Sequence, residues 1–203
     1  NFYKELALQF AEQGIHALAI DYFGRTAPIH TPRDESFEFM PHVSQIQYPT
    51  FLLDVRAALS YLQSHATSSG APSPAIFTCG FCMGGALSLL TATQPDLPLA
   101  GAIAFYSGFG RRFAGTEAPT LDNAVNTRVP VLGLYGGADQ GIPPEQIEQL
   151  EKNLTTASVP HEIHVYPGAP HSFFDRKATE FAEASTDSWI RTLNFIHTNT
   201  PTS

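Results

Sequence analysis

Short apolar runs alternate with longer amphipathic stretches along most of this chain. The apolar runs predict buried strands, because a strand covered on both faces of a parallel sheet is a continuous hydrophobic segment. The amphipathic stretches carry apolar residues three or four positions apart and predict helices that bury one face. The predicted strands cover residues 16–22, 75–79, 99–106, 131–137 and 161–166. The predicted helices cover residues 2–13, 51–63, 86–92, 145–154 and 181–196.

This alternation predicts an α/β fold, a three-layer α/β/α sandwich around a mostly parallel sheet. The 203 residues are enough for one sizeable core. We therefore expect a single domain over residues 1–198, followed by a polar tail over 199–203. Proline, glycine and charged residues predict a long loop over 23–48 and a linker over 68–74.

The overall charge and the cysteine content exclude several classes of function. With 11 basic and 19 acidic residues, the chain has a formal net charge of -8. This charge argues against nucleic acid or an anionic membrane as a partner. The two cysteines, Cys79 and Cys82, are too few for a disulfide framework, so we expect a reducing, cytoplasmic location. We further expect a monomer or small homo-oligomer.

The most informative motif is the stretch Gly80-Phe81-Cys82-Met83-Gly84. It has the form Gly-x-nucleophile-x-Gly and lies between a strand-like run and a helix-like run, as a nucleophile elbow requires. The sharp turn strains the central residue, and its close packing requires small residues two positions before and after it. The thiol of Cys82 would then lie at a helix N-terminus, where the dipole favours a thiolate.

A cysteine nucleophile needs a base and a group that orients the base. Asp139 and His171 each lie in a Gly- and Pro-containing turn directly after a predicted strand. In open α/β sheets, catalytic groups collect at the carboxyl ends of the strands. The order nucleophile, acid, histidine is the chain order of α/β-hydrolases, so Cys82, Asp139 and His171 are the predicted catalytic residues.

Each of these residues also has a structural interpretation. Cys82 could be a buried packing residue, Asp139 could cap the following helix, and His171 could be an ordinary loop residue. His161 and His164 lie on one predicted strand at odd spacing, so they point to opposite faces and cannot share a metal. We predict no metal site.

The cysteines also match the Cys-x-x-Cys spacing of thiol-redox proteins. In that motif both cysteines lie in the turn and the first helical residues, whereas Cys79 lies in a β-rich run. We therefore expect Cys79 to be a packing residue. The redox interpretation also leaves Asp139 and His171 without a role.

At these residues the chain resembles the dienelactone hydrolase family of α/β-hydrolases. The resemblance implies a Cys82–His171–Asp139 triad, ester or lactone hydrolysis without a cofactor, and the backbone N–H of Met83 as one oxyanion donor. The matching segments are residues 2–7, 19–28, 80–85, 137–139 and 168–173.

The chain departs from the family pattern in two ways. Family members begin with further strands and a loop that supplies a second oxyanion donor, so we expect such a segment to precede this chain in its parent protein. Members that act on dienelactone carry an arginine four residues after the catalytic histidine. Here that position is Asp175, followed by Arg176. An acid would repel a carboxylate, so the expected substrate is a small ester or lactone other than dienelactone.

The expected substrate contacts are Tyr22, Arg25 and His42 in the long loop, with Phe81 and Phe173 flanking the thiol. Ordinary apolar packing is the alternative for each phenylalanine. The alternative function is a hydrolase fold that binds a ligand with weak or no turnover.

Overall fold

The structure is a computed structural model that describes residues 2–34, 36–68 and 74–201. It falls into two compact units, which are described separately here: residues 1–74 with 113–116, and residues 75–112 with 117–203. The single domain over 1–198 therefore stays a prediction. Residues 69–73 of the predicted linker and residues 202–203 of the predicted tail lie outside the described residues.

The first unit is helical and irregular. Its helices are α1 (Phe2–Glu12), α2 (Met40–Val43) and α3 (Tyr48–Ser68). Helix α1 buries Leu6 and Phe10, which lie four residues apart and so share one face of the helix. Helix α3 buries Leu52, Val55 and Leu59, which lie three or four residues apart on its inner face.

The strand predicted over residues 16–22 is wrong. These residues have no regular secondary structure, and Leu18 leaves 39% of its surface exposed. A strand forms only where its N–H and C=O groups meet a neighbouring strand. No described residue forms a ladder with this segment, so its apolar composition alone does not produce a strand.

The second unit is built on a parallel sheet of four described strands in the order β1-β2-β3-β4. The strands are β1 (Phe77–Phe81), β2 (Gly101–Phe105), β3 (Val131–Gly136) and β4 (His161–Tyr166). Every residue of β2 and β3 is buried. The two central strands therefore have the continuous apolar sequence that predicted them.

Helices connect and flank these strands, which confirms the predicted α/β class. They are α4 (Met83–Thr91), α5 (Thr120–Asn123), α6 (Pro144–Thr156) and α7 (Ala182–Thr198). Helix α4 packs on β1 and β2, α6 packs on β4, and α7 packs on β3. Leu150 and Leu154 of α6 are completely buried, so this helix contributes a large part of the core.

The register of the sheet brings the carboxyl ends of its strands together. Phe81 of β1 pairs with Phe105 of β2, and Gly136 of β3 pairs with Tyr166 of β4. Because all four strands are parallel, the segments that follow them leave from the same edge of the sheet. Those segments contain the predicted catalytic residues.

Candidate active site

Cys82 occupies a strained turn between β1 and α4. Its φ of 54° and ψ of -118° lie outside the regions that a non-glycine residue normally adopts. The turn brings the strand and the helix so close that a Cβ atom on Gly80 would overlap the carbonyl group of Gly84. Glycine at position 80 is thus a steric requirement of this elbow.

The backbone of Cys82 is held on both sides while its thiol stays accessible. Its N–H donates a hydrogen bond to the carbonyl oxygen of Phe105 at 3.0 Å, and its own carbonyl accepts one from Ala86 at 3.2 Å. The residue is exposed and has no disulfide partner. The strain therefore points the sulfur away from the core at the N-terminus of α4.

Asp139 is buried in the turn that follows β3. Its side chain is 3% exposed, and its Oδ1 accepts a hydrogen bond from the N–H of Gly141 at 2.9 Å. The preceding residue, Ala138, donates its N–H to the carbonyl of Ala169 at 2.9 Å. That contact fastens the acid turn directly to the loop after β4.

His171 lies in this loop and links the acid to the thiol. Its Nδ1 is 2.6 Å from Oδ2 of Asp139, and because a carboxylate only accepts, Nδ1 is the donor. The ring is also close enough to the thiol of Cys82 for each group to shift the pKa of the other, and Nε2 is the nitrogen left for this interaction. The structure thus brings the three predicted residues into one interacting series.

The electrostatics of the series favour a thiolate and an imidazolium. The hydrogen bond from His171 is the main cause that lowers the pKa of the Cys82 thiol, against the opposing effect of burial. The same hydrogen bond, with that to Asp139, raises the pKa of His171 to about 9 despite partial burial. Both shifts stabilise the pair of opposite charges.

The first residues of α4 add to this effect. The backbone N–H of Met83 is near enough to the sulfur of Cys82 to contribute to lowering the pKa of the thiol. The role of this N–H as an oxyanion donor stays a prediction.

The sequence matches the profile of the "Dienelactone hydrolase family" over residues 1–200. This chain belongs to the dienelactone hydrolase family. The match covers the elbow, the acid turn and the histidine loop together.

Relatives of this family member occur in several bacteria. A "Putative carboxymethylenebutenolidase" of Escherichia coli K12 is 34% identical over 144 residues, which are 70% of this chain and 53% of that protein. One of the same name from Methylorubrum extorquens is 29% identical over 189 residues, or 93% and 64% of the two chains. This chain spans about half the length of the Escherichia coli relative.

Solved structures show the same fold. The structure described as "Putative Dienelactone Hydrolase from Klebsiella pneumoniae" aligns with a TM-score of 0.77 at 28% identity, covering 96% of this chain and 80% of that one. The dienelactone hydrolase-like phosphotriesterase P91 aligns at 22% identity with a TM-score of 0.74. At that identity the likeness concerns the fold alone.

Two of the expected substrate contacts of this dienelactone hydrolase family member are core residues in the structure. Phe173 has no exposed surface and packs on Tyr166, with ring centroids 5.0 Å apart. Phe81 is 5% exposed and stacks on Phe105 at 4.6 Å. Both rings fill the interior below the site, so the packing alternative describes their observed environment.

The other three expected contacts lie in the first unit. Tyr22 and Arg25 border a cavity of about 210 Å³. The Nε of Arg25 donates to Oδ2 of Asp54 at 3.0 Å, so this guanidinium is paired with a carboxylate. His42 stacks on a phenylalanine ring and makes a 2.9 Å hydrogen bond to Thr26. Their contact with substrate stays a prediction.

An open depression of about 600 Å³ lies beside the acid and the histidine. Its lining includes Asp139, His171, Gln140 and Lys177. The sequence motif did not single out Gln140 or Lys177. Gln140 directly follows the acid, and Lys177 lies six residues after the histidine. This closeness in sequence is the signal that could have identified them.

A cation lies close to the thiol although Asp175 occupies the position expected for an arginine. Asp175 accepts a hydrogen bond from the backbone N–H of Arg176 at 2.6 Å. The positive charge of Arg176 is one of the influences that lower the pKa of Cys82. Arg176 therefore acts on the site electrostatically, which the position of Asp175 alone did not suggest.

The packing role predicted for Cys79 is wrong, because this residue is exposed. Many protein atoms nevertheless surround its sulfur, and the resulting desolvation raises the pKa of the thiol to about 12. Surface accessibility decides whether a reagent reaches the sulfur, whereas the surrounding protein decides its charge. Cys79 is consequently an accessible but neutral thiol at pH 7.

Two further features of the described residues bear on partners. Within the described ranges, no three His, Cys, Asp or Glu side chains gather closely enough to bind a metal ion. None of the described helices is both long enough and apolar enough to cross a bilayer.

Proposed function

We propose that this chain hydrolyses a carboxylic ester or lactone, with Cys82 as nucleophile, His171 as acid and base, and Asp139 as the group that orients the histidine. The observation that carries the proposal is the series that runs from Cys82, at a strained elbow, through His171, which is hydrogen-bonded to Asp139. Membership of the dienelactone hydrolase family supports the same reaction class.

The first half of the proposed reaction forms a thioester. The Cys82 thiolate attacks the carbonyl carbon, and the electron pair of the C=O bond moves to oxygen. The backbone N–H of Met83 donates to this oxyanion. When the carbonyl reforms, the C–O bond to the leaving group breaks, and the alkoxide takes the Nε2 proton of His171.

The second half hydrolyses the thioester. Neutral His171 accepts a proton from water while the oxygen attacks the thioester carbon, again with Met83 as donor. Collapse expels the Cys82 thiolate and leaves a carboxylic acid. The imidazolium again lies beside a thiolate, which is the ion pair of the resting site. Asp139 keeps its hydrogen bond to Nδ1 throughout and fixes which nitrogen faces the thiol.

We further propose a small ester or lactone other than dienelactone as substrate. The names of relatives from Escherichia coli and Bradyrhizobium include a carboxymethylenebutenolidase and a propanoate lactonase, which supports a compact lactone or ester. Both names describe substrates that carry a carboxylate, so the proposal of a different substrate rests on Asp175. Asp175 stands where the family's carboxylate-binding arginine is expected. A neutral aryl ester should therefore be hydrolysed faster than the matching ester that carries a carboxylate. The opposite preference would contradict this part of the proposal.

The decisive experiment compares the two cysteines. Cys82→Ala should abolish hydrolysis of a small aryl acetate through the thioester, because the series contains no other thiol or hydroxyl nucleophile. Cys79→Ala is the matched control and should retain activity, since Cys79 is neutral and lies outside the series. Peptide mass spectrometry after brief exposure to the ester should find the acyl group on Cys82. Full activity in Cys82→Ala would refute the proposed mechanism.

The same measurements identify the alternative function. Saturable binding of the ester by the unaltered chain, without release of alcohol, would indicate a binding protein that retains a hydrolase fold. Turnover that depends on Cys82 would exclude it.

A further inference from the structure

Tyr106 lies at the centre of the site although it belongs to none of the predicted functional residues. It directly follows β2, the strand between β1 and β3. Its side chain has no exposed surface, so it cannot touch a substrate. Any role in the site must therefore act through its neighbours.

The peptide group that joins Phe105 to Tyr106 is held by a hydrogen bond on each side. Its carbonyl, that of Phe105, accepts the hydrogen bond from the N–H of Cys82 at 3.0 Å. Its N–H, that of Tyr106, donates to the carbonyl of Leu134 in β3 at 2.7 Å. One peptide plane thus connects the nucleophile's backbone to the strand that leads to the acid turn.

The backbone of Tyr106 is strained. Its φ is +34°, in a region that a residue with a large side chain rarely adopts. Of the described non-glycine residues with positive φ, three belong to this site: Cys82, Tyr106 and Ser172, which follows His171. Strained backbone tends to persist where function requires a particular side-chain direction.

The strained backbone directs the Tyr106 ring onto the histidine loop. The ring centroid is 4.9 Å from that of His171, with an angle of 60° between the planes. It is 5.5 Å from Phe173 and 6.1 Å from Phe81. The Tyr106 ring therefore packs on His171, on Phe173 in the same loop and on Phe81, which precedes the nucleophile.

This packing adds to the restraint that the contacts with Asp139 and Cys82 supply. Those two residues interact with the two nitrogens of His171, which define an axis in the plane of the imidazole. The ring can still tilt by rotation about its Cβ–Cγ bond, which carries both nitrogens off that axis and misaligns both contacts. Tyr106 is in contact with the imidazole ring itself and opposes that tilt.

We propose that Tyr106 is a positioning residue, whose buried ring fixes the tilt of the His171 imidazole between Asp139 and Cys82. The inference rests on the proposed function for its catalytic meaning, but the geometry that it describes can be measured without turnover. It assigns the effect to the aromatic ring and not to the hydroxyl group.

The test compares Tyr106→Phe, which keeps the ring, with Tyr106→Leu and Tyr106→Met, which fill buried volume without a planar face. Iodoacetamide alkylation of Cys82 is followed against pH by peptide mass spectrometry, which separates Cys82 from Cys79. Circular dichroism and thermal unfolding confirm that each variant is folded. Aryl ester hydrolysis is measured in parallel.

The Leu and Met variants should alkylate Cys82 with a midpoint shifted to higher pH, because a tilted imidazole stabilises the thiolate less. Their kcat should fall about tenfold or more while KM changes by less than about twofold, as expected when only orientation is lost. Tyr106→Phe should keep both the alkylation midpoint and kcat.

Three results would overturn the proposal. The first is a folded Leu or Met variant with an unchanged alkylation profile and kcat. The second is an equal loss in Tyr106→Phe, which would assign the effect to the hydroxyl. The third needs no variant: a proton spectrum in which the ring protons of His171 show no through-space contact with those of Tyr106. If the Leu and Met variants shift the Cys82 alkylation midpoint to higher pH but the unaltered chain shows no turnover, the hydrolase proposal fails while the positioning role of Tyr106 stands.

Discussion

The substitution Gly80→Ala tests whether the elbow geometry controls the site. A Cβ at this position would overlap the carbonyl carbon and oxygen of Gly84 and lie 2.7 Å from the nitrogen of Gly85. These are backbone atoms of α4, so no side chain can rotate to make room. Since tight contacts begin near 3.4 Å, even the least crowded atom must move by the difference, about 0.7 Å.

The expected magnitude follows from that displacement. Overpacking of this kind destabilises a protein by about 1–3 kcal/mol. For a chain of 203 residues, each kcal/mol corresponds to roughly 2–4 °C in melting temperature. A shift approaching 1 Å between Cys82 and His171 should reduce hydrolysis by about 10²-fold. We therefore expect a melting temperature lowered by about 2–12 °C, together with a much larger loss of kcat.

Gly108→Ala is the matched control. A Cβ on Gly108 would meet no atom within 4 Å, and its backbone does not need the conformation that favours glycine. This variant should unfold and hydrolyse ester like the unaltered chain, as measured by circular dichroism melting and an aryl ester assay. A Gly80→Ala variant that melts within about 1 °C of the unaltered chain and keeps its activity would refute the steric argument.

Three further predictions follow from the same contacts. At pH 7, iodoacetamide should label Cys82 far faster than Cys79, because a thiol with a pKa of about 12 is only about 10⁻⁵ ionised there; equal labelling of the two peptides would contradict the charge assignment. The pKa of His171 is raised, so its proton persists through neutral pH and is lost as pH rises past about 9. The rate of ester hydrolysis should therefore decline above that pH. A rate that still rises at pH 10 would exclude His171 as the acid. Leu150→Ala, at a completely buried position, should lower the free energy of unfolding by about 2–5 kcal/mol in urea titrations without changing the Cys82 labelling rate.

The sheet could be predicted where strands pair with strands on both sides. Strands β2 and β3 are buried along their whole length, so their apolar sequences predicted them to within two residues. The segment 16–22 has a similar composition and forms no strand, because composition cannot reveal whether a partner strand lies alongside. Strand β1 also begins two residues later than its sequence suggested.

In the site, too, the reactive residues could be predicted from the sequence, whereas their burial and exposure could not. Gly80, Cys82, Asp139 and His171 could be selected by spacing and order, since each lies in a turn after a strand. The exposure of Cys79 and the burial of Phe173 could not be predicted from spacing and order, because both depend on residues distant in the sequence.

By itself, the sequence determined the reactive groups and the order in which the chain carries them to the strand ends, because glycine spacing and strand–turn–helix order are local properties. Only the tertiary structure decided that His171 lies between Asp139 and Cys82, that the charge of Arg176 reaches the thiol, and that the Tyr106 ring packs on the imidazole. Those relations depend on the register of four parallel strands, which brings segments up to about ninety positions apart to one edge of the sheet.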